Sequence, residues 1–192
     1  MKPAVAAILV LTLSGCGRTY QSLSDGAAAS GAGVETFGTG RHAHRFTLFN
    51  PQTNKPWPNH PFRLFAKHHD LPSRQPSKSV YHGVTDANGM TPIFLMNTKI
   101  PDKGWDLTER VGEGPFGKSF YMKSSGPNRR PIIGYPHAMV ICSPVPIVHF
   151  GVTDARGNTA YLASSEVGEI ILLTDGDVTD KEGAVREACG DK

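Results

Sequence analysis

The sequence lacks several features that would each have indicated a function class. Its N-terminal apolar run, residues 4–13, is too short to span a bilayer, and no later segment approaches that length. A formal net charge of +3 over 192 residues is too small to predict binding to nucleic acid. The sequence has no G-x-S-x-G, H-E-x-x-H or glycine-rich phosphate-loop motif. We therefore expect neither an enzyme nor a bound cofactor.

The N-terminus has the layout of a bacterial lipoprotein signal peptide. Lys2 precedes the apolar run, and Leu13-Ser14-Gly15-Cys16 resembles a lipobox, in which small residues admit the processing enzyme and the cysteine is acylated. By that resemblance residues 1–15 are removed and Cys16 carries the lipid. The residue after the cysteine is Gly17 rather than Asp. In Gram-negative lipoproteins this resembles the pattern of proteins sent to the outer membrane, which implies an anchor there with the body facing the periplasm. The alternative is a buried N-terminal helix.

Cysteine is scarce, with three residues in the chain. Once Cys16 is acylated, Cys142 and Cys189 remain, and an even pair in an oxidising compartment predicts a disulfide. The alternatives are a buried free Cys142 that packs as a small apolar residue, or a reactive thiol.

Composition divides the remaining chain into a tether, two β modules and a tail. Residues 16–41 are rich in Gly, Ala and Ser, which predicts a flexible tether. Short aromatic and β-branched segments separated by Pro, Asn, Asp and Gly then predict strands in a first module, residues 42–112, and a second module, residues 115–178. In the tail, residues 179–192, Thr179-x-x-Glu182 resembles a capping box and predicts a short helix.

One motif occurs in both modules: GVTDANGMT at 83–91 and GVTDARGNT at 151–159. Asp86 and Asp154 stand at the first turn position, where a carboxylate accepts backbone N–H groups. Gly89 and Gly157 stand at the fourth, where a positive φ is favourable. The motif predicts a strand, a turn and a strand. The alternative is that the paired aspartates are metal ligands or acid/base groups.

The order of an aromatic strand, a turn, Lys-Pro, an aromatic-Pro strand and then G-x-T-D-x-x-G-x-T resembles the transthyretin-like, carboxypeptidase-regulatory-like family. It is most similar to the copies attached to spike proteins and effectors of type VI secretion systems. The resemblance covers residues 42–112 and 115–175, and PNRRP at 127–131 replaces the usual Gly-Lys-Pro turn. It implies an all-β tandem of two small transthyretin-like or Ig-like β-sandwiches, with a short C-terminal helix.

Two kinds of reactive site were considered. Cys142 with His137 or His149 is the one nucleophile and base pairing, although core or surface packing is the commoner role for such strand residues. Imidazoles suit zinc or copper, but the spacings match no closed ligand set, so no metal site is predicted. The histidines in question are His42, His44, His60, His68, His69 and His82.

The basic residues of two loops indicate protein recognition. An insertion within residues 66–79 of the first module and the PNRRP segment of the second carry Lys67, His68, His69, Arg74, Lys78, Arg129 and Arg130, against one Asp70. Such loops on a rigid scaffold predict contact with an acidic protein surface, and the alternative is solvated loops with no partner.

We therefore expect a non-enzymatic, lipid-anchored periplasmic protein that binds another protein. The lipobox and the family resemblance imply an immunity protein that neutralises a type VI secretion effector such as a lipase. The alternatives are a structural lipoprotein of a secretion or envelope complex, and a periplasmic metal-binding protein.

Overall fold

The computed structural model describes residues 20–22, 34–72, 79–174 and 180–190, and within them the protein is all-β with one short C-terminal helix, as predicted. The strands are β1 Tyr20–Ser22, β2 Thr36–Gly38, β3 His42–His44, β4 Phe46–Leu48, β5 Pro61–Ala66, β6 Val80–Val84, β7 Ile93–Met96, β8 Trp105–Val111, β9 Phe116–Lys118, β10 Pro136–Cys142, β11 Ile147–Val152, β12 Tyr161–Ser164 and β13 Glu169–Leu173. A 3-10 helix covers Asp102–Gly104, and α1 covers Lys181–Cys189. No described helix has the length and apolar character needed to cross a membrane.

Four sheets contain these strands. Their orders are β6-β5-β8-β12-β9, β11-β10-β13, β2-β7-β3 and β1-β4. The β2-β7 and β8-β12 pairs are parallel, and the other pairs are antiparallel.

The five-stranded sheet passes from the first module into the second. β8 and β12 pair with Tyr161 opposite Arg110 and Leu162 opposite Val111. The guanidinium carbon of Arg63 in β5 lies 4.7 Å from the ring centre of Tyr161, which adds a cation-π contact across the same junction. Backbone pairing therefore joins the two modules, in addition to the connecting chain.

A carboxylate closes the repeated turn of the first module. Oδ1 of Asp86 accepts hydrogen bonds from the backbone N–H groups of Asn88 at 2.8 Å and Met90 at 2.9 Å. Gly89 has φ of 76°, and a Cβ atom there would lie 2.7 Å from the backbone nitrogen of Trp57. The position therefore requires glycine on both conformational and steric grounds.

The second module repeats these contacts atom for atom. Oδ1 of Asp154 accepts from the backbone N–H groups of Arg156 and Asn158, both at 2.8 Å. Gly157 has φ of 79°, and a Cβ atom there would lie 2.6 Å from the carbonyl oxygen of Met122. Turn chemistry accounts for both aspartates, as the sequence predicts.

Buried threonine hydroxyls attach each turn to the preceding loop. Oγ1 of Thr85 donates to the carbonyl of Trp57 at 2.6 Å, and Oγ1 of Thr153 donates to the carbonyl of Ile132 at 2.6 Å. Both threonines are almost fully buried, so each hydroxyl satisfies a carbonyl that water does not reach.

The two turn carboxylates differ in their surroundings. Oδ2 of Asp86 lies 2.8 Å from the guanidinium of Arg45, whose side chain is 7% exposed. The second module has Ser119 at the corresponding position, and Oδ2 of Asp154 accepts from the side-chain amide of Asn158 at 3.3 Å. Burial raises the pKa of Asp154 above the ordinary value for aspartate, although hydrogen bonds to the carboxylate oppose the shift.

The predicted tether is wrong for residues 20–22, which form β1 and pair with β4, and for residues 36–38, which form β2. β2 pairs in parallel with β7, and the ring of Phe37 packs against Tyr81 at 5.4 Å and Phe94 at 5.7 Å between ring centres. One aromatic residue in a Gly-rich context is enough to add a strand, because an existing sheet edge supplies the backbone partners. Residues 23–33 of the tether, Cys16 and the predicted signal peptide lie outside the described residues.

The segment predicted as the first strand of the second module, residues 119–123, forms only isolated bridges at Tyr121 and Lys123. Its counterpart in the first module, β4, is a regular strand because it also pairs with β1. The described residues provide no equivalent of β1 in the second module, so ladder pairing on that side is missing.

The C-terminal helix packs on one face of the β11-β10-β13 sheet. Ala184 is fully buried there against Ala138 and Val140. Cys142 and Cys189 form a disulfide, the pairing expected from the sequence. The helix begins one residue later than the capping box implies, because Asp180 is the N-cap and accepts from the backbone N–H of Gly183 at 2.7 Å. Thr179 itself lies outside the described residues.

Replacing each turn aspartate with asparagine removes the negative charge but keeps an oxygen that can accept the turn's hydrogen bonds. The change in stability then reports the effect of the charge alone. Asp86→Asn leaves the buried guanidinium of Arg45 without its carboxylate, so we expect the free energy of unfolding to fall by about 1–3 kcal/mol. Asp154→Asn removes a carboxylate that has no ion-pair partner in the part of the chain that the structure describes, and we expect a smaller change at pH 7. Chemical denaturation of both variants measures the difference.

The pH dependence of Asp154→Asn provides a second test. Since folding raises the pKa of Asp154, the wild-type protein loses stability as the pH rises from about 4, the ordinary pKa of aspartate, through the raised pKa of the folded state. The variant lacks this titration, so its stability relative to wild type should rise with pH over that range. A relative stability that falls, or a larger loss at pH 7 for Asp154→Asn than for Asp86→Asn, would contradict this account.

Candidate functional site

A cleft of about 510 Å³ opens where the two modules meet. We call it the junction cleft, and its lining consists of Phe65, Lys67, Lys103, Gly104, Trp105 and Asp106 from the first module with Tyr121, Pro131, Ala155, Arg156 and Asn158 from the second. Ala155 and Arg156 of the second module's turn, together with Pro131 at the end of PNRRP, thus line the same cleft as Lys67 in the loop after β5. Two segments predicted separately from the sequence are brought to one site.

Two lysines stand at the first module's side of the junction cleft. The backbone N–H of Lys67 donates to the carbonyl of Gly104 at 2.8 Å, which attaches the loop after β5 to the 3-10 helix containing Lys103. Both lysine side chains are exposed, and neither has an ion-pair partner among the described residues. The two ammonium groups are available to an external anion.

Arg156 connects the second module to the first across the cleft. Its Nη1 donates to the carbonyl of Trp105 at 3.0 Å and lies 3.7 Å from Oδ1 of Asp106. The first module has Asn88 at the corresponding turn position, so this arginine is a feature of the second copy alone. Its charge is partly balanced by Asp106, whereas the charges of Lys67 and Lys103 are not.

The other predicted partner-binding residues do not line the cleft, and two of them lie outside the described residues. His68 is exposed with φ of 61°, and Arg129 is exposed with φ of 38°, so both occupy the left-handed region that favours glycine. His69 is half-buried and Arg130 is exposed, next to the cleft residue Pro131. Arg74 and Lys78 lie outside the described residues. Lys103, Tyr121 and Arg156 were not predicted from the sequence.

The nucleophile considered at Cys142 is excluded by the fold. Its sulfur is bonded to Cys189, and its side chain packs toward α1. His137 lies five residues earlier on the same strand, hence on the opposite face, and His149 pairs with Met139 on that opposite face. Neither imidazole can activate this sulfur.

Four polar side chains that were not grouped from the sequence lie near one another: His60, Glu109, His137 and His149. Nε2 of His60 lies 3.2 Å from Oε1 of Glu109 in β8. Burial lowers the pKa of His137 and of His149 below the ordinary value for histidine, and the charge of Glu109 partly opposes both shifts. The buried imidazole of His137 in β10 and the half-buried imidazole of His149 in β11 thus lie within electrostatic reach of a carboxylate from β8.

The histidines considered as ligands from the sequence are not assembled. His44, for example, packs against the ring of Trp105 in a tilted arrangement, with 4.9 Å between ring centres, and is 5% exposed. Over the ranges that the structure describes, no three or more His, Cys, Asp or Glu side chains are grouped as a metal ion would require.

Comparison with known proteins does not assign the chain to a family. No family model matches the sequence, and neither the curated proteins nor the solved structures contain a significant match. Arguments about function therefore rest on the residues and the site geometry.

Replacing Arg156 with the residue that the first module has at this position tests the link across the cleft. Arg156→Asn keeps a side chain suited to the turn but loses the contacts to Trp105 and Asp106. We expect the free energy of unfolding to fall by about 0.5–1.5 kcal/mol, since one hydrogen bond to a carbonyl and one half-exposed ion pair are lost.

The reciprocal variant Asn88→Arg serves as the control, because Asn88 is exposed at the equivalent position of the first module's turn. Denaturation curves for the two variants should differ by the amount given above. Equal stability of Arg156→Asn and wild type would show that the contact contributes nothing to the junction.

Proposed function

We propose that this protein binds another protein through the junction cleft and recognises an acidic segment of that partner. The observation that carries the proposal is the position of Lys67 and Lys103 on one side of a cleft of about 510 Å³, without carboxylate partners among the described residues. Exposed lysines of this kind attract an acidic surface at long range and set the association rate.

The apolar part of the cleft supports a protein ligand over a small anion. Tyr121 is 51% exposed at the cleft, where the exposed ring of Pro131 also contributes apolar lining. Aromatic residues are enriched at the centres of protein interfaces because they bury a large area at a small cost in conformational entropy. A partner segment that combines carboxylates with an apolar side chain fits this surface.

The proposal includes the architecture that presents the cleft. Two transthyretin-like sandwich modules, supported by the duplicated turn contacts, are held together by the β8-β12 pairing and by Arg156. The lipobox at Cys16 would anchor this body to the periplasmic face of the outer membrane, with part of the Gly-rich segment as a spacer.

Within this class, an immunity lipoprotein is the role that the sequence favours. Its lipobox and its resemblance to modules of type VI secretion effectors both support an antibacterial toxin as the partner. Binding in the cleft would then block the toxin's active or membrane-facing surface. A structural lipoprotein of a secretion or envelope complex remains the alternative.

Gene deletion separates these two roles. An immunity protein is dispensable until its toxin is present in the periplasm, so deletion should sensitise cells to a toxin-bearing competitor while secretion continues. A scaffold's deletion should stop assembly or secretion without any toxin. Deleted cells that resist every toxin delivered and still secrete normally would overturn both roles.

Charge reversal at the cleft tests the binding surface directly. A partner is first captured from solubilised envelopes with the wild-type chain and purified, and its binding to Lys67→Glu/Lys103→Glu is then measured by surface plasmon resonance. We expect the association rate to fall by about tenfold or more at low salt, with a smaller change in the dissociation rate.

Lys55→Glu/Lys99→Glu is the matched control, because it makes the same change in net charge at two exposed lysines of the same module that do not line the cleft. Its association rate should stay close to wild type apart from the small effect of net charge. Equal rates for Lys67→Glu/Lys103→Glu and this control would remove the junction cleft from the interface.

A further inference from the structure

His137 and His149 are neighbours on one face of the β11-β10-β13 sheet. The register places His149 opposite Met139 and His137 opposite Gly151, so the two imidazoles are diagonal partners on adjacent antiparallel strands. His137 is 6% exposed. Its ring is therefore fixed inside the protein, where an unsatisfied polar atom is costly.

A backbone carbonyl determines which nitrogen of His137 carries the proton. Nδ1 lies 3.2 Å from the carbonyl oxygen of Tyr135, and because a carbonyl only accepts, Nδ1 is the donor. In the neutral ring Nε2 then has a free lone pair. A metal-binding histidine has this arrangement, with its second nitrogen oriented by a carbonyl or carboxylate.

Both Nε2 atoms are buried and have no hydrogen-bond partner among the described residues. They flank a single point beside the backbone of Gly151. A Cβ atom at Gly151 would lie 2.8 Å from Nε2 of His149 and 3.5 Å from Nε2 of His137. Because Gly151 has no side chain, space remains next to the Nε2 atoms of His137 and His149. A side chain at position 151 would fill that space.

We propose that His137 and His149 bind one transition-metal ion of the class that prefers imidazole, Cu²⁺ or Zn²⁺, through their Nε2 atoms beside Gly151. The position of such a Cβ is one bond length from the Cα atom of Gly151, so the ion itself lies farther from the backbone. Binding then turns both rings until their Nε2 atoms lie roughly 2.0–2.1 Å from the ion. No third protein ligand is in place among the described residues, and water completes the coordination. Glu109, which pairs with His60 nearby, supplies favourable negative charge.

Cu²⁺ is the more stringent probe, because imidazole sites bind it more tightly than Zn²⁺. The full chain, with its disulfide intact, is titrated with each ion by calorimetry, and electron paramagnetic resonance counts the nitrogens bound to Cu²⁺. We expect one ion per chain, two imidazole nitrogens in the spectrum and a higher melting temperature when the ion is bound.

Gly151→Ala tests the site without removing a histidine. The added methyl group occupies the point between the two nitrogens and displaces only the tip of His149, so the fold should persist while affinity falls by more than about tenfold. His149→Gln gives a second variant with the same expected loss should alanine at 151 prevent folding. Melting curves without metal verify the fold of each.

His68→Ala/His69→Ala is the matched control, since it removes two imidazoles from the loop after β5 and should leave the bound ion unaffected. Binding that survives Gly151→Ala and His149→Gln, or that is lost in the control, would place the ion elsewhere and overturn the proposal. Absence of any bound ion in the wild-type chain at micromolar concentrations would overturn it as well.

Discussion

The hydrogen bonds between a turn aspartate and two backbone N–H groups are the constraint on which the rest of this structure depends. Oδ1 of Asp86 and Oδ1 of Asp154 each close a turn whose strands lead into the two modules. A buried threonine then ties each turn to the loop before it. Small modules bury little apolar surface, so side chains that satisfy buried backbone groups contribute a large share of their specificity.

The same turn serves different purposes in the two copies. In the first, the free carboxylate oxygen of Asp86 pairs with Arg45 and stabilises its own module. In the second, no arginine side chain among the described residues pairs with Asp154, and the side chain of Arg156 instead extends to Asp106 and the carbonyl of Trp105 in the first module. A turn position that holds Asn88 in the first module thus holds an arginine that contacts the first module from the second, and Arg156 lines the junction cleft.

Local patterns in the sequence predicted the local structure well. The repeated Asp and Gly determine their turns, and PFRLFA and WDLTERV are strands at their predicted residues, because turn geometry and strand alternation are encoded within a few residues. Predictions that required distant partners were less successful. β2 depends on the edge of β7, and residues 119–123 lack the partner that β4 finds in β1. Lys67 was predicted at the site, but Lys103 and Arg156 were not, since only the tertiary fold brings them to the same cleft. Likewise, the register of β10 and β11 places His137 beside His149, and that register could not be predicted from the sequence.

Site-specific cross-linking in cells measures most directly whether the junction cleft is the binding surface. A photoreactive amino acid replaces Lys103 in the full chain, and the same amino acid replaces Lys99 as the reference. After irradiation, we predict adducts at position 103 to one protein, whose attached peptide is rich in aspartate and glutamate, and few adducts at position 99. Adducts of equal yield at both positions, or a peptide at position 103 that lacks acidic residues, would contradict recognition of an acidic partner between the two modules.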